Sequence, residues 1–273
     1  LLSSTPFSMP TDLWVPITKN IRPMYANQYS LGGYYTGLAG WEFSIEGYYK
    51  QMRHILEYQD GVSFFGTSTN WEEKVEMGEG RSLGLEMMVQ KTLGKTTGWL
   101  AYTLAKTDHR FKDGASQGKW FPYKYDRRHT ISLCLNHKFS ERIDVGASWI
   151  FNTGGCITVP ERETIIIRPE GNIESAPYIS RRNNYRLPAS HRLNLGINFN
   201  KKTKHGMRTW NISLYNAYNA MNPNLVYSKW EQGYNLIYND FYNSIYQGND
   251  NQYNSEKKSK TVIKKLTILP CIP

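Results

Sequence analysis

One pentapeptide has the spacing of a hydrolytic nucleophile. Gly80-Arg81-Ser82-Leu83-Gly84 fits the Gly-x-Ser-x-Gly elbow, which holds a serine hydroxyl out on a sharp strand-to-helix turn. The elbow needs a strand before it and a helix after it. A long loop precedes this one, and reading Leu85 to Gln90 as helix would strip the strand expected at 98–107 of its partner, so Ser82 is assigned no catalysis. Asp108-His109 and the scattered His54, His137, His191 and His205 have no metal-ligand spacing, and Cys134, Cys156 and Cys271 make neither a ligand set nor a disulfide scaffold. No glycine-rich phosphate loop occurs. Glu42, Glu46, Glu86 and Asp144 have Lys50, Lys138 and Arg192 available, which favours ion pairing over acid–base work. The chain is read as a non-enzyme, with no cofactor and no metal.

What remains is recognition chemistry. Tyr227, Trp230, Tyr234, Tyr238, Tyr242, Tyr246 and Tyr253 stand among many asparagines, and aromatic rings on polar loops stack on sugars or planar chelates. Arg162, Arg168, Arg181 and Arg182 suit an anionic chelate or a lipopolysaccharide phosphate. From these, Arg168, Arg181, Arg182, Trp230, Tyr234 and Tyr238 are the expected ligand contacts. The plainer reading of the same residues is loop packing, interfacial anchoring and solvated charge. The chain has 33 Lys and Arg against 23 Asp and Glu, a net charge of +10, and such a balance suits polyanions. Its basic clusters, Lys201 to Arg208 and Lys257 to Lys265, follow no nucleic-acid-binding pattern and read as solvated turns, so nucleic acid is not expected as a partner.

The elements that position these residues alternate on a two-residue period. Ile131, Leu133, Leu135 and Phe139 share one face, and Thr130, Ser132, Cys134, Asn136 and Lys138 share the other. The pattern recurs at 41–51, 81–92, 98–107, 143–152, 192–200 and 210–214, with a weaker strand at about 27–35. That makes about eight strands of about ten residues, longer than the five or six usual in globular sheets. Two folds accept such strands: a soluble β-sandwich, apolar inside, or a transmembrane barrel, apolar towards lipid. No run of about 18 apolar residues exists, so a transmembrane helix is excluded.

Connection lengths separate the two. Short turns at about 36–40, 93–97, 140–142 and 201–208 alternate with long loops at about 52–80, 108–128, 153–190 and 219 onward, as in outer-membrane barrels with tight periplasmic turns and long extracellular loops. Aromatic residues gather near strand ends, as Tyr48, Tyr49, Trp149, Phe151, Trp210, Tyr215 and Tyr218 do, in the manner of interfacial girdles. The expected fold is all-β, an antiparallel transmembrane β-barrel segment. In that topology both chain ends lie outside, and two open edges face lipid, which the bilayer does not tolerate. The expectation is therefore a piece of a larger barrel.

Several motifs then fall in a familiar order. Gly80-Arg81-Ser82-Leu83-Gly84-Leu85-Glu86, Tyr102-Thr103 with Thr107, and Tyr125-Asp126-Arg127-Arg128-His129 come first. Trp149-Ile150-Phe151-Asn152-Thr153-Gly154, Tyr185-Arg186-Leu187-Pro188 with His191-Arg192-Leu193, and Trp210 to Asn219 with Asn222-Pro223 follow. Together, from about 25 to 270, they resemble TonB-dependent outer-membrane receptors. The resemblance implies a 22-stranded barrel of which residues 1–273 are the C-terminal part, with the plug domain and last strand absent. It implies energy-coupled uptake of a scarce, bulky ligand (siderophore-iron, cobalamin, haem or glycan), with a TonB-type energy-coupling protein acting through the missing plug. It places the protein in the bacterial outer membrane, among lipid and lipopolysaccharide. The competing expectation is a soluble β-sandwich that binds carbohydrate with the same aromatic loops. Asp126, Arg127 and Arg128 are expected to form a structural staple at a strand start.

Overall fold

The computed structural model describes residues 16–59, 71–167, 173–222, 225–230 and 261–266. Its strands are β1 (Tyr25–Tyr35), β2 (Trp41–Tyr58), β3 (Val75–Lys91), β4 (Thr96–Arg110), β5 (Phe121–Pro122), β6 (His129–Lys138), β7 (Ile143–Asn152), β8 (Cys156–Ile157), β9 (Arg162–Ile167), β10 (Ile173–Tyr178), β11 (Tyr185–Arg186), β12 (Ser190–Thr203), β13 (Gly206–Leu214), β14 (Leu225–Trp230) and β15 (Thr261–Leu266). Eight of them form one antiparallel sheet in the order β1-β2-β3-β4-β6-β7-β12-β13, with β5 added beside β4. The chain divides into two compact units. One holds this sheet and the small β8–β11 pair; the other holds the hairpins β9–β10 and β14–β15.

Because strand side chains alternate, an unbroken register sorts residues onto two faces. One row runs Gly33–Ile45–Met87–Tyr102–Ile131–Phe151–His191 across seven strands. A parallel row runs Phe43–Val89–Leu100–Leu133–Trp149–Leu193. On the other face Gly32–Glu46–Glu86–Thr103–Thr130–Asn152–Ser190 lie side by side. The apolar face is not covered: Leu31 is 85% exposed, Ile212 65% and Leu100 44%. A sandwich would bury that face under a second sheet. Lipid is the solvent in which it is stable.

The sheet has two different ends. Four tight connections, 36–40, 92–95, 139–142 and 204–205, all lie at one, here the turn end. At the loop end β2 reaches 18 residues, β3 17 and β4 15, whereas β6 and β7 have 10 each. The segments 52–58 and 75–80, expected as loop, are thus paired strand. A bulge between Arg53 and Ile55 hides them from a period-two reading: His54 takes φ 56 and the register shifts by one residue. Past the bulge the odd positions of β2 exchange faces, so Ile55 and Glu57 join the polar side.

Among the described residues, buried core is confined to this end. Ile55, Phe111 and Phe121 form one cluster with Met52 against it, and Ile21 and Val75 form another with Leu56, Tyr58 and Trp71. The membrane-height part of the sheet has no such core, as a barrel wall between lipid and lumen requires.

Candidate ligand-facing site and its supports

The polar face encloses a concavity of about 850 Å³ at the loop end. Tyr48, Lys50 and Glu46 come from β2, Ser82 and Glu86 from β3, Thr107 and His109 from β4, and Tyr123, Lys124 and Tyr125 from the loop before β6. Glycine makes part of this space: a Cβ on Gly84 would lie 2.6 Å from the Tyr48 ring, so a side chain there would push the ring aside. Two ammonium groups, three phenols and three carboxylates (Glu46, Glu57 and Glu86) on one wall can grip a ligand that combines charged and planar parts.

Behind the wall a charged network locks the loops. His109 Nδ1 lies 2.8 Å from Glu57 Oε1, and its ring stacks on Tyr123 with centroids 4.1 Å apart. Burial, then the Glu57 charge and neighbouring Tyr125, push the Tyr123 phenol up to about 12. Arg182 joins the same node: it donates to Glu76 Oε1 at 2.5 Å and to the Tyr58 carbonyl at 3.3 Å, and meets Glu57 Oε2 at 3.6 Å. Its guanidinium lies 5.2 Å from the centroid of Phe111.

Asp126 is the second anchor, and its carboxylate is buried. Oδ1 accepts the Thr107 backbone N–H at 2.7 Å, and Oδ2 accepts Arg128 Nε at 2.9 Å and Arg186 at 2.5 Å. Arg186 also donates to the Asp126 and Gly154 carbonyls. One carboxylate therefore ties β4, the start of β6 and β11 together. Arg127, expected in the same staple, is exposed.

The expected ligand residues part company here. Arg182 is only 6% exposed and serves the node just described, not a solvent-facing surface. Arg181, beside it, is exposed. Trp230 ends β14. Arg168, Tyr234 and Tyr238 lie outside the described residues, as do Tyr242, Tyr246 and Tyr253. Sequence reasoning missed Glu57, His109, Tyr123 and Arg186. The first was hidden by the bulge, and the last acts across 60 residues of chain. The phase of alternation in β4 was the available signal, since it already put His109 on the face of Thr103.

Other expectations resolve plainly. Ser82 sits in mid-strand and shares a 2.9 Å hydrogen bond with Thr107 Oγ1, so no elbow forms there. Asp144, one of the acidic residues for which Lys50, Lys138 and Arg192 were read as available, accepts from Asn198 and Asn200, each at 2.7 Å. The Arg192 guanidinium instead lies over the Tyr215 ring, 4.3 Å from its centroid. Burial pushes the Cys156 thiol up, against the opposing pull of Arg186. Among the described residues no group of three or more His, Cys, Asp or Glu is placed to hold a metal, and no helix is long and apolar enough to cross a membrane.

An antiparallel sheet with one lipid-compatible face, one polar concave face and short turns at a single end is the wall of a transmembrane β-barrel. Residues 3–220 match the family model described as "TonB dependent receptor-like, beta-barrel", and the chain belongs to that family. Among solved structures it is similar to the FrpB iron transporter from Neisseria meningitidis (F3-3 variant), at 13% identity and a TM-score of 0.49. The alignment covers 76% of this chain and 29% of that one, so the present chain spans under a third of the transporter's length. No curated protein sequence matches.

Proposed function

We propose that this chain supplies wall and loops to an energy-coupled receptor of the bacterial outer membrane. The observation that carries the reading is the two-faced sheet: apolar and exposed on one side, polar and enclosing the concavity on the other. The whole protein captures a scarce, bulky ligand of the siderophore-iron, cobalamin, haem or glycan class at the loop end. A TonB-type partner pulls on a plug from the periplasmic side and opens the path. This chain forms the C-terminal part of a 22-stranded barrel; the other strands pair with the open edges of β1 and β13, which lipid does not accept unpaired.

In that role the chain's residues bind and position. Lys50 and Lys124 attract anionic groups, and Tyr48 and Tyr125 offer flat faces. Arg168, Arg181, Trp230, Tyr234 and Tyr238 add contacts from the loops, while Arg182 ties its own segment to β2 and β3. The concavity falls within the roughly 300–1,000 Å³ of typical small-molecule sites.

The test uses the full-length protein in outer-membrane vesicles. Heat-modifiable electrophoretic mobility, detergent dependence and coupling-dependent uptake of one labelled ligand from the four classes are expected. Lys50→Gln/Lys124→Gln is expected to weaken uptake of that ligand at least about tenfold. A full-length protein that is soluble, monomeric and insensitive to heat in gel mobility overturns the reading.

A further inference from the structure

Above the apolar band, on the outward face, the wall is basic. β3 and β4 run on past Leu83 and Leu104 with Arg81, Glu79, Lys106, Asp108 and Arg110, all of outward phase. From β2, Gln51 and Arg53 lie beside Arg81 and Glu79. A shallow cleft of about 220 Å³ opens there, lined by Arg53, Arg81, Arg110, Trp120, Tyr49 and Glu79 among others. Three guanidinium groups and the Glu79 carboxylate line it, and Asp108 pairs with Arg81 and Lys106 beside it.

The cleft is built, not a chance gathering of surface charge. The Arg81 and Arg110 guanidiniums both lie over the Trp120 ring, 4.4 and 4.7 Å from its centroid. Arg81 is fixed from below by Asp108, which it meets at 3.0 Å and which is 6% exposed in its side chain. Arg110 pairs with Glu79. Arg53 donates to the Tyr25 hydroxyl at 3.3 Å. Oriented forks of this kind recognise phosphate oxygens.

Height fixes what meets the cleft. On β2 the outward residues start at Trp41, which is stacked on Phe43 and has Lys91 5.3 Å from its ring. Gln51, beside Arg81, lies ten residues further along β2. Ten residues rise about 33 Å along a strand, or about 25 Å of height at a tilt of about 40°, which is the thickness of the apolar band of such barrels. The cleft therefore begins where hydrocarbon ends, with exposed Leu83 two residues from Arg81 on β3 and exposed Leu31 further towards the turn end on β1. An anionic head above an apolar tail is what the two surfaces together accept.

We propose that this cleft docks a phosphorylated lipid of the outer leaflet, its phosphate among Arg53, Arg81 and Arg110 and its acyl chains along Leu83 and Leu31. The inference rests on the outer-membrane reading above. It is tested on the detergent-solubilised full-length receptor by native mass spectrometry with two probes, bisphosphorylated lipid A and the same lipid dephosphorylated. The bisphosphorylated form is expected to be retained about tenfold more. Arg81→Gln/Arg110→Gln is expected to abolish the preference. Arg53→Gln, which disturbs no ion pair, is expected to reduce it, and Lys201→Gln/Lys202→Gln at the opposite end to leave it intact. Equal retention of the two lipids by the unaltered receptor overturns the proposal, as does an unchanged preference in both arginine variants. So does full displacement by inorganic phosphate with no dependence on the acyl chains. Heat-modifiable mobility is read on the same sample, so a failed lipid site is distinguishable from a failed barrel.

Discussion

Asp126 shows how much one residue can organise at the loop end. Its buried carboxylate takes bonds from two arginines and a backbone N–H. Removing one partner of such a group leaves buried charge uncompensated, at about 3–5 kcal/mol. Asp126→Ala is expected to lower unfolding stability of the reconstituted receptor by about that amount, and Asp126→Asn by less, since the amide oxygen still accepts; guanidinium titration measures both. Tyr123 gives a pH signature. Its phenol is pushed up to about 12, first by burial and then by Glu57, so the folded state holds the proton more tightly than the unfolded chain. That contribution is fully present below about pH 10 and is lost as pH rises through the folded value. The stability difference between the unaltered receptor and Tyr123→Phe should therefore shrink across that alkaline window and stay flat below it. The arginines of the loops were legible as types but not as roles. Nothing local to Ser-Arg-Arg separates exposed Arg181 from buried Arg182; partners 106 residues away at Glu76 decide it.

At the scale of elements the sequence was most informative where alternation is unbroken. The strands β6 and β7 match their sequence-based bounds almost residue for residue, because every second position is apolar and a tight turn joins them. The reading failed at β2, where one bulged residue inverts the phase for the following turn of pattern. His54 is the test. At φ 56 it occupies a conformation that costs a branched residue about 1–2 kcal/mol, so His54→Val should destabilise by that order while His54→Gly should not. Deleting His54 is a different experiment: it removes the extra residue and leaves the pairs Arg53–Glu79 and Ile55–Gly78 consecutive, so Glu57 should keep its inward face and its bond to His109, and the near-ultraviolet circular dichroism of the stacked Tyr123–His109 pair should be unchanged. Gly98 makes a comparable demand on β4. It has φ +150, and a Cβ there would lie 2.1 Å from the Cys134 carbonyl oxygen, so even alanine must part β4 from β6.

For the whole molecule the deciding contrast is between the two faces. Leu133 and Ser132 are neighbours in sequence and opposites in environment, one in the apolar row and the other on the polar side. Leu133→Arg is expected to cost about 2–4 kcal/mol in bilayer refolding, and Ser132→Arg close to nothing. Equal costs for the two would remove the lipid-facing assignment. The same alternation that builds this wall also governs how such a chain reaches its membrane. A secretion channel that sorts nascent segments by continuous hydrophobicity meets no stretch long enough to release sideways, because polar residues interrupt every apolar run well short of about 18 residues. The chain can be exported through one membrane as an ordinary polar polypeptide. It becomes greasy only when its strands pair and bring every second residue to a common side, and so it is inserted after folding begins, in the membrane where it stays.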